Sequence, residues 1–436
     1  MSSKREVGSA RIARNVALRE DNWELRFPHS TRVYAKMARE DAQVKSVINA
    51  VCLPIRRADW WLDPNGADDE IVQHVSNDLR LNVLGGMPFD SSVSHSAHLS
   101  WKSHVEQALK ALVYGHMFFE QVYEVGADGK EHLRKLAPRW PGTISKIHVA
   151  KDGGLLGITQ YGSEGMDPEK PQIPVENLVA YVHDDEGGEW YGTSILRPSY
   201  KHWSLRDQLL RLELTILDRN GMGLPVYRGS DVSKNPDSDL ENGQRIVEAA
   251  RSGESSGASI PAGSDLKILG VSGQLVSPRE AITYHDRMIA KAVLAHFLNL
   301  DSQGGSFALA STQADLFVQA LQTIAEWIAD VATQHIVEDL VRLAYPDYTG
   351  PLPRITCDPI ASRKEYTPEQ LTSLATSKVI FTDSVLDEHV RRVGGLPPHQ
   401  PYEDAVKEKK ERLEIDQKEG ISLSTPAPPP DEEGGA

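Results

Sequence analysis

The sequence predicts an α+β protein: a mixed helix-and-strand body, then long helices flanking a small insert. Three observations lead there. Between residues 31 and 185, helical spacing alternates with short strand-like runs bounded by Gly, Pro and Asp. From 199 onward, apolar residues keep helical periodicity over long stretches. Between the first two of those stretches, residues 226–276 carry strand and turn signals in a segment too short for a separate large domain.

Each element has its own justification. The first 30 residues are polar and weakly patterned and read as an arm. From Val33 to Leu53 the spacing of Val33, Met37, Val44, Val47, Ile48 and Val51 suits a helix, which Pro54 should end. Ala58–Leu62 reads as a short strand closed by Asp63-Pro64. Residues 70–84 and 101–114 are amphipathic helices, the second stopped by Gly115. Phe118–Val125 alternates and runs into a Gly126-Ala127-Asp128-Gly129 hairpin turn. Thr143–Val149, Leu155–Tyr161 and Leu178–His183 are further strands, so 31–185 reads as one α+β domain.

Ser199–Asn220 is a helix with apolar residues at 205, 209, 212 and 216 and again at 210, 214 and 217. That stripe is wide enough to predict that two faces are covered. Gly221–Pro225 breaks the helix. The insert follows, with a strand, a helix near 238–252, and short strands at Ala258–Pro261 and Leu266–Val271. A second helix runs from Arg279 to Leu298, and a Gly- and Ser-rich loop occupies 301–306. Phe317, Leu321, Ile324, Ile328, Val331, Ile336, Leu340 and Leu343 mark a third helix that lasts until Pro346. A strand at Arg354–Cys357, a helical segment at Pro368–Arg392 and a charged, then Pro-rich tail complete the chain. The tail lacks the apolar residues needed to fold alone. No internal repeat is visible.

Composition narrows the function. The 436 residues suffice for two or three domains, and 40% hydrophobic with 25% charged residues is a globular balance. No run approaches the roughly 18 apolar residues of a membrane span, and the N-terminus has no apolar segment of a secretory signal, so a cytoplasmic location in the producing cell is expected. The formal net charge is −15. A protein that reads DNA through phosphate contacts is normally basic, so a sequence-specific DNA regulator is excluded; an acidic wall past which DNA slides is not. Cys52 and Cys357 have no Cys or His neighbour at zinc spacing and read as reduced, buried thiols.

Several motifs suggest chemistry without supporting it. Gly253-Glu254-Ser255-Ser256-Gly257 fits the nucleophile-elbow pattern, but helical residues precede it where a buried strand is required. His183-Asp184-Asp185-Glu186 groups metal-capable side chains, yet neighbours on a strand point to opposite faces. His285-Asp286 lies inside a helix and reads as a surface or interface pair, and His335 as a packing residue. Gly304-Gly305 lacks the Lys and Ser/Thr of a phosphate loop. No catalytic constellation, cofactor or metal site is expected.

One run is specific. Leu178-Val179-Ala180-Tyr181-Val182-His183 and Trp190-Tyr191-Gly192-Thr193-Ser194-Ile195-Leu196-Arg197-Pro198 lead into a helix opening Tyr200-Lys201-His202-Trp203 and ending Leu217-Asp218-Arg219-Asn220-Gly221-Met222-Gly223-Leu224-Pro225. Ile260-Pro261-Ala262-Gly263, Tyr284-His285-Asp286 and Gly305–Ala310 follow in order. Together they resemble tailed-bacteriophage (or prophage) portal proteins over residues 31–345.

The resemblance implies a ring-forming portal fold, usually of twelve subunits, that makes the DNA channel at one capsid vertex for packaging, head–tail attachment and ejection. By position, 31–198 would be the first part of an α+β wing, and 199–221 and 278–298 paired stem helices, while the 1–30 arm lies outside the resemblance. Residues 222–277 would be a small α/β clip, 299–311 the channel loop, 312–362 the long helix and second part of the wing, and 363–395 a helical crown; the acidic, Pro-rich tail at 396–436 lies outside the resemblance and reads as disordered from its composition. The implied partners are further copies of the chain, the large terminase subunit, a head–tail adaptor, the major capsid and scaffolding proteins, and double-stranded DNA passing non-specifically. Lys291 and Arg287 on the second stem helix, with Asn299, Ser302 and Gln303 in the loop, are the expected DNA-facing groups. Alternatives are another head–tail connector or minor capsid protein and, from a different class, a serine hydrolase acting through Ser255.

Overall fold

A computed structural model describes residues 20–86, 88–90, 99–162, 167, 170–185, 188–222, 224–232, 234–249, 259–260, 262–269, 277–294 and 307–360. All lie in the first of two contact units, Met1–Ala361. The expectations for 1–19, for 299–306 and for the crown and tail beyond 362 fall outside the described residues, as does the Ser255 motif.

Helix α1 (Ser30–Glu40) and helix α2 (Ala42–Arg57) replace the single helix expected over 33–53. Asp41 separates them: its backbone is extended, and its Oδ1 accepts from the Val44 amide at 3.0 Å, an N-cap that restarts the helix. Pro54 does not end α2. Val44, Ile48, Val51 and Ile55 form one buried stripe, and burying Ile55 completely outweighs the single backbone hydrogen bond that proline forfeits. Residues 20–30 are not a free arm. Leu25 is buried, Tyr200 donates to Glu24 at 2.6 Å, and Glu20 pairs with Arg197.

Strand β1 (Trp60–Asp63) and helix α3 (Asp69–Leu79) follow, then α4 (Trp101–Ala108) and α5 (Lys110–Tyr114), two short helices in place of one. Gly115 caps α5 with φ +88°. Strands β2 (His116–Val125) and β3 (Glu131–Arg139) form the expected hairpin around 126–129. Then come β4 (Ile144–Val149), β5 (Leu155–Gln160), the two-residue β6 (Ile173–Pro174) and β7 (Leu178–Val182). Antiparallel pairing gives one sheet of order β3-β2-β7 and another of order β4-β5-β6.

Helix α6 (Tyr200–Met222) leads to the insert, where β8 (Leu224–Arg228), α7 (Pro236–Ala249) and β9 (Asp265–Leu269) fold together, β8 and β9 antiparallel. No strand forms at Ser259 and Ile260. Helix α8 (Arg279–Leu294) returns the chain. Helix α9 (Phe307–Ala332), a π-type turn (Thr333–Val337) and helix α10 (Glu338–Ala344) make up the expected third helix. The widened turn lies where Thr333 Oγ1 accepts from the Ile355 amide at 3.0 Å. Strand β10 (Arg354–Cys357) pairs antiparallel with β1, so chain from before and after the helices and insert builds one body.

The largest core joins α3, α4, α5, β2, β7, α9 and α10 through residues such as Leu79, Leu112, Phe119, Tyr181, Ile328 and Leu340. A second cluster packs Tyr34, Met37, Val44 and Ile48 against Leu196 and Ile289, and so fixes the roots of α6 and α8 to the body. Phe118, Ile144, Ile158 and Leu178 fill the space between the two sheets. Cys52 and Cys357 are free but half-buried rather than buried. Burial raises both thiols to about 11, leaving them protonated and unreactive at neutral pH.

Candidate functional site: the rooted helix pair

The segment Leu178–Pro198 acts as a lock. Its signature residues bind the body through backbone hydrogen bonds, joined by the Ser194 and His183 side chains. The Gly115 carbonyl accepts from the His183 amide at 2.8 Å, the His183 carbonyl accepts from Thr193 at 2.7 Å, and the Leu112 carbonyl accepts from Ile195 at 2.9 Å. Ser194 Oγ donates to the Val113 carbonyl at 2.5 Å and accepts from the Leu196 amide at 3.0 Å. Gly115 and Gly192 both have positive φ and cross closely: a Cβ on Gly192 would stand 2.2 Å from the Gly115 carbonyl oxygen. Only glycine allows that approach. His183 spends Nδ1 on the Thr193 carbonyl at 2.8 Å, which gives it an orienting role, not a ligand's.

From this lock α6 and α8 extend side by side. Ser199 meets Ile289, His202 meets His285, Arg206 meets Asp286 and Glu213 meets Arg279. From the first contact to the last, numbers rise from 199 to 213 on one side and drop from 289 to 279 on the other, so the pair is antiparallel. The seam is polar. His202 Nδ1 and His285 Nδ1 lie 3.0 Å apart, one donating and one accepting. Burial, followed by the neighbouring His285, lowers the His202 pKa. His285-Asp286 is therefore an interhelical packing pair. Arg206, with its side chain 9% exposed, bridges Asp286 and Asp41.

The apolar residues of α6 lie beside that seam. On a helix turning about 100° per residue, Leu205 and Leu212 fall on one side of the His202–Arg206–Glu213 line, and Leu210 and Leu214 on the other. With Leu217 near the far end, these leucines are 38–68% exposed. Within a single chain α6 thus covers a polar seam and leaves both expected apolar faces open. The insert shares this character, with Ile268 and Leu269 on β9 and Leu240 on α7 more than half exposed.

Arg287 and Lys291 fall on one exposed ridge of α8 with Glu280 and Tyr284, opposite buried Ile282 and Ile289. The other expected channel residues, Asn299, Ser302 and Gln303, lie outside the described residues. His335 sits in the π-type turn, where its carbonyl accepts from Gln121 at 3.5 Å. Among the described residues no helix is long and apolar enough to cross a membrane.

The family model described as the portal protein of Mu bacteriophage matches residues 31–395. Among solved structures, a chain from the neck of a native gene transfer agent particle, computed with C12 symmetry, is 14% identical. It aligns with a TM-score of 0.50 over 85% of this chain and 95% of its own. An HK97-family phage portal protein from Corynebacterium diphtheriae is 12% identical over 80% of this chain and 97% of its own, with a TM-score of 0.41. A helix pair rooted in an α+β body and carrying a small insert is thus, together with the family match, that of a phage portal protein. The chain belongs to the family of the Mu bacteriophage portal protein, and its function is a portal function at the capsid vertex.

Proposed function

We propose that this chain is the repeating subunit of a closed ring that forms the DNA channel of a virion, with a structural and not a catalytic role. The observation that carries the reading is the open apolar surface on α6. Isolated exposed leucines are ordinary, but rows of them flanking a polar intrachain seam mark a surface that another protein covers. A ring of identical copies covers such faces without leaving one over. The C12 symmetry of the gene transfer agent neck supports twelve as the copy number.

In this reading 31–198 and 312–362 are wing, 199–221 and 278–298 stem, 222–277 clip, 299–311 channel loop and 363–395 crown. The clip docks the terminase during filling and the adaptor afterwards. A two-stranded sheet such as β8–β9 is marginal alone, and its exposed apolar residues suit pairing with a neighbouring clip. Arg287 and Lys291, with Asn299, Ser302 and Gln303, face the DNA; the chain's net charge of −15 keeps the walls from holding it.

Light scattering with negative-stain imaging of the purified full chain tests this. A holed ring near twelve times 48.2 kDa is expected. A compact dimer without a channel would overturn it. Deleting the 299–311 loop should impair packaging or DNA retention; normal behaviour of that variant would remove the loop's assigned role.

A further inference from the structure

We propose that His74, His132 and Asp128 bind a divalent transition-metal ion of the zinc type, which clamps helix α3 to the tip of the β2–β3 hairpin. One donor atom from each lies within 4.8 Å of the others. His74 comes from α3, Asp128 from the hairpin turn and His132 from β3, so elements distant in sequence converge on one point.

The hydrogen bonding orients these groups. The buried Asp78 carboxylate sits 2.8 Å from His132 Nδ1 and accepts from the Leu133 amide at 2.8 Å. A carboxylate accepts only, so Nδ1 carries a proton, and Nε2 is the nitrogen that a metal ion would bind. That nitrogen faces both oxygens of Asp128 at 3.2 Å. The His74 ring is hydrogen-bonded by the Glu131 backbone, and its Nε2 is buried with no hydrogen-bond partner, on a side chain only 5% exposed. One atom each of His74, Asp128 and His132 thus converges on a point where a metal ion can replace the proton that His132 Nε2 otherwise donates to Asp128.

The surroundings match a metal site. An Asp78–His132 pair behind the ligand is the carboxylate–histidine arrangement that fixes tautomer and ring orientation in zinc proteins. Two imidazoles and a carboxylate suit zinc, with water completing a tetrahedron. Bonds of about 2.0–2.2 Å bring ligand atoms within about 3.5 Å of one another, so the cluster must contract by about 1 Å. Asp128 can supply the movement: it sits on a turn with its side chain 47% exposed. Gly126 keeps the approach open, because a Cβ there would lie 2.5 Å from the His132 ring and 2.7 Å from Asp128 Oδ1.

The competing occupant is a proton on His132, and metal titration separates the two. Full-length chain treated with EDTA is titrated with Co²⁺ while visible absorbance is followed, and Zn²⁺ is then added in competition. One cobalt per chain with a four-coordinate spectrum, displaced by zinc, is expected. Asp128→Ala, on an exposed turn where folding is not at stake, should weaken binding at least tenfold. Asp78→Asn should weaken it by about 10–100-fold. Zinc should also raise the melting temperature of the native chain but not of Asp128→Ala. Absence of stoichiometric cobalt binding by the native chain, or an unchanged spectrum and affinity in both Asp128→Ala and His132→Gln, would overturn the assignment.

Discussion

Arg206 on α6 and Asp286 on α8 form an ion pair at the root of the helix pair, and the same guanidinium reaches Asp41, the N-cap of α2. One side chain thus ties both helices to the body. Asp41 is 8% exposed, so removing its partner strands a charge that water cannot reach. Arg206→Ala should destabilise the chain by about 3–5 kcal/mol, the typical cost of breaking a buried pair from one side. Denaturant unfolding followed by circular dichroism measures this. Asp286→Ala should cost less, because Asp286 is 37% exposed and recovers hydration.

Gly192 predicts a different kind of damage. Its φ of +56° and its 2.2 Å Cβ clearance to the Gly115 oxygen leave no room for a side chain. Gly192→Ala should cost about 1–3 kcal/mol for the backbone conformation alone, with the overlap adding to it. Since the lock feeds directly into α6, the variant should also lose assembly. A melting temperature and sedimentation profile equal to those of the native chain would contradict this.

The same two residues show what could be read in advance. Gly192 stands out as part of a conspicuous motif, but its partner Gly115 reads only as a helix stop. Their contact belongs to the tertiary fold. Local signals were sufficient for the β2–β3 turn, for α6 and for the helix and outer strands of the insert, where periodicity and turn chemistry act within a few residues, but not at Ser259 and Ile260, where the expected strand does not form. They misled at Pro54, where burial of Ile55 prevails over a local preference. Asp41 carries a local signal too, as an N-cap directly before a periodic run. Pairing of β1 with β10 leaves no local trace. The His74–Asp128–His132 cluster was present only as two separate i, i+4 pairs, His74 with Asp78 and Asp128 with His132. Neither pair alone signals a site.

Acid should weaken the body. His104 and His116 are completely buried, and loss of hydration drops their pKa values to about 3 and about 4. In the unfolded chain each titrates near the ordinary histidine value of about 6.5. Both are bases held neutral by folding, so the unfolded chain takes up protons first as pH falls. Their stabilisation is complete above about pH 6.5 and is lost toward pH 4 and then 3, at about 1.4 kcal/mol per pH unit for each histidine. Unfolding midpoints at pH 7, 6 and 5 should fall in that order. His104→Gln, which can still hydrogen-bond Tyr181, should flatten the slope; an unchanged slope would show that other groups carry it.

The open leucines on α6 make the most direct test of assembly. Leu214 is 68% exposed and Leu217 59%, so neither contributes much to the stability of one chain. A charge at either position should cost a single chain little, within about 0.5 kcal/mol for an exposed surface site. Between copies the same charge must be desolvated against apolar neighbours, a far larger penalty. Leu214→Glu and Leu217→Glu should therefore leave the helical content intact and shift the mass in light scattering from ring to single chain. Leu205→Glu and Leu212→Glu, on the opposite side of the seam, should do the same if α6 is gripped on both flanks. Should only one flank prove sensitive, the other faces the lumen or the insert of a neighbour, which would orient the channel wall. Rings that persist in all four variants would exclude α6 as the assembly surface.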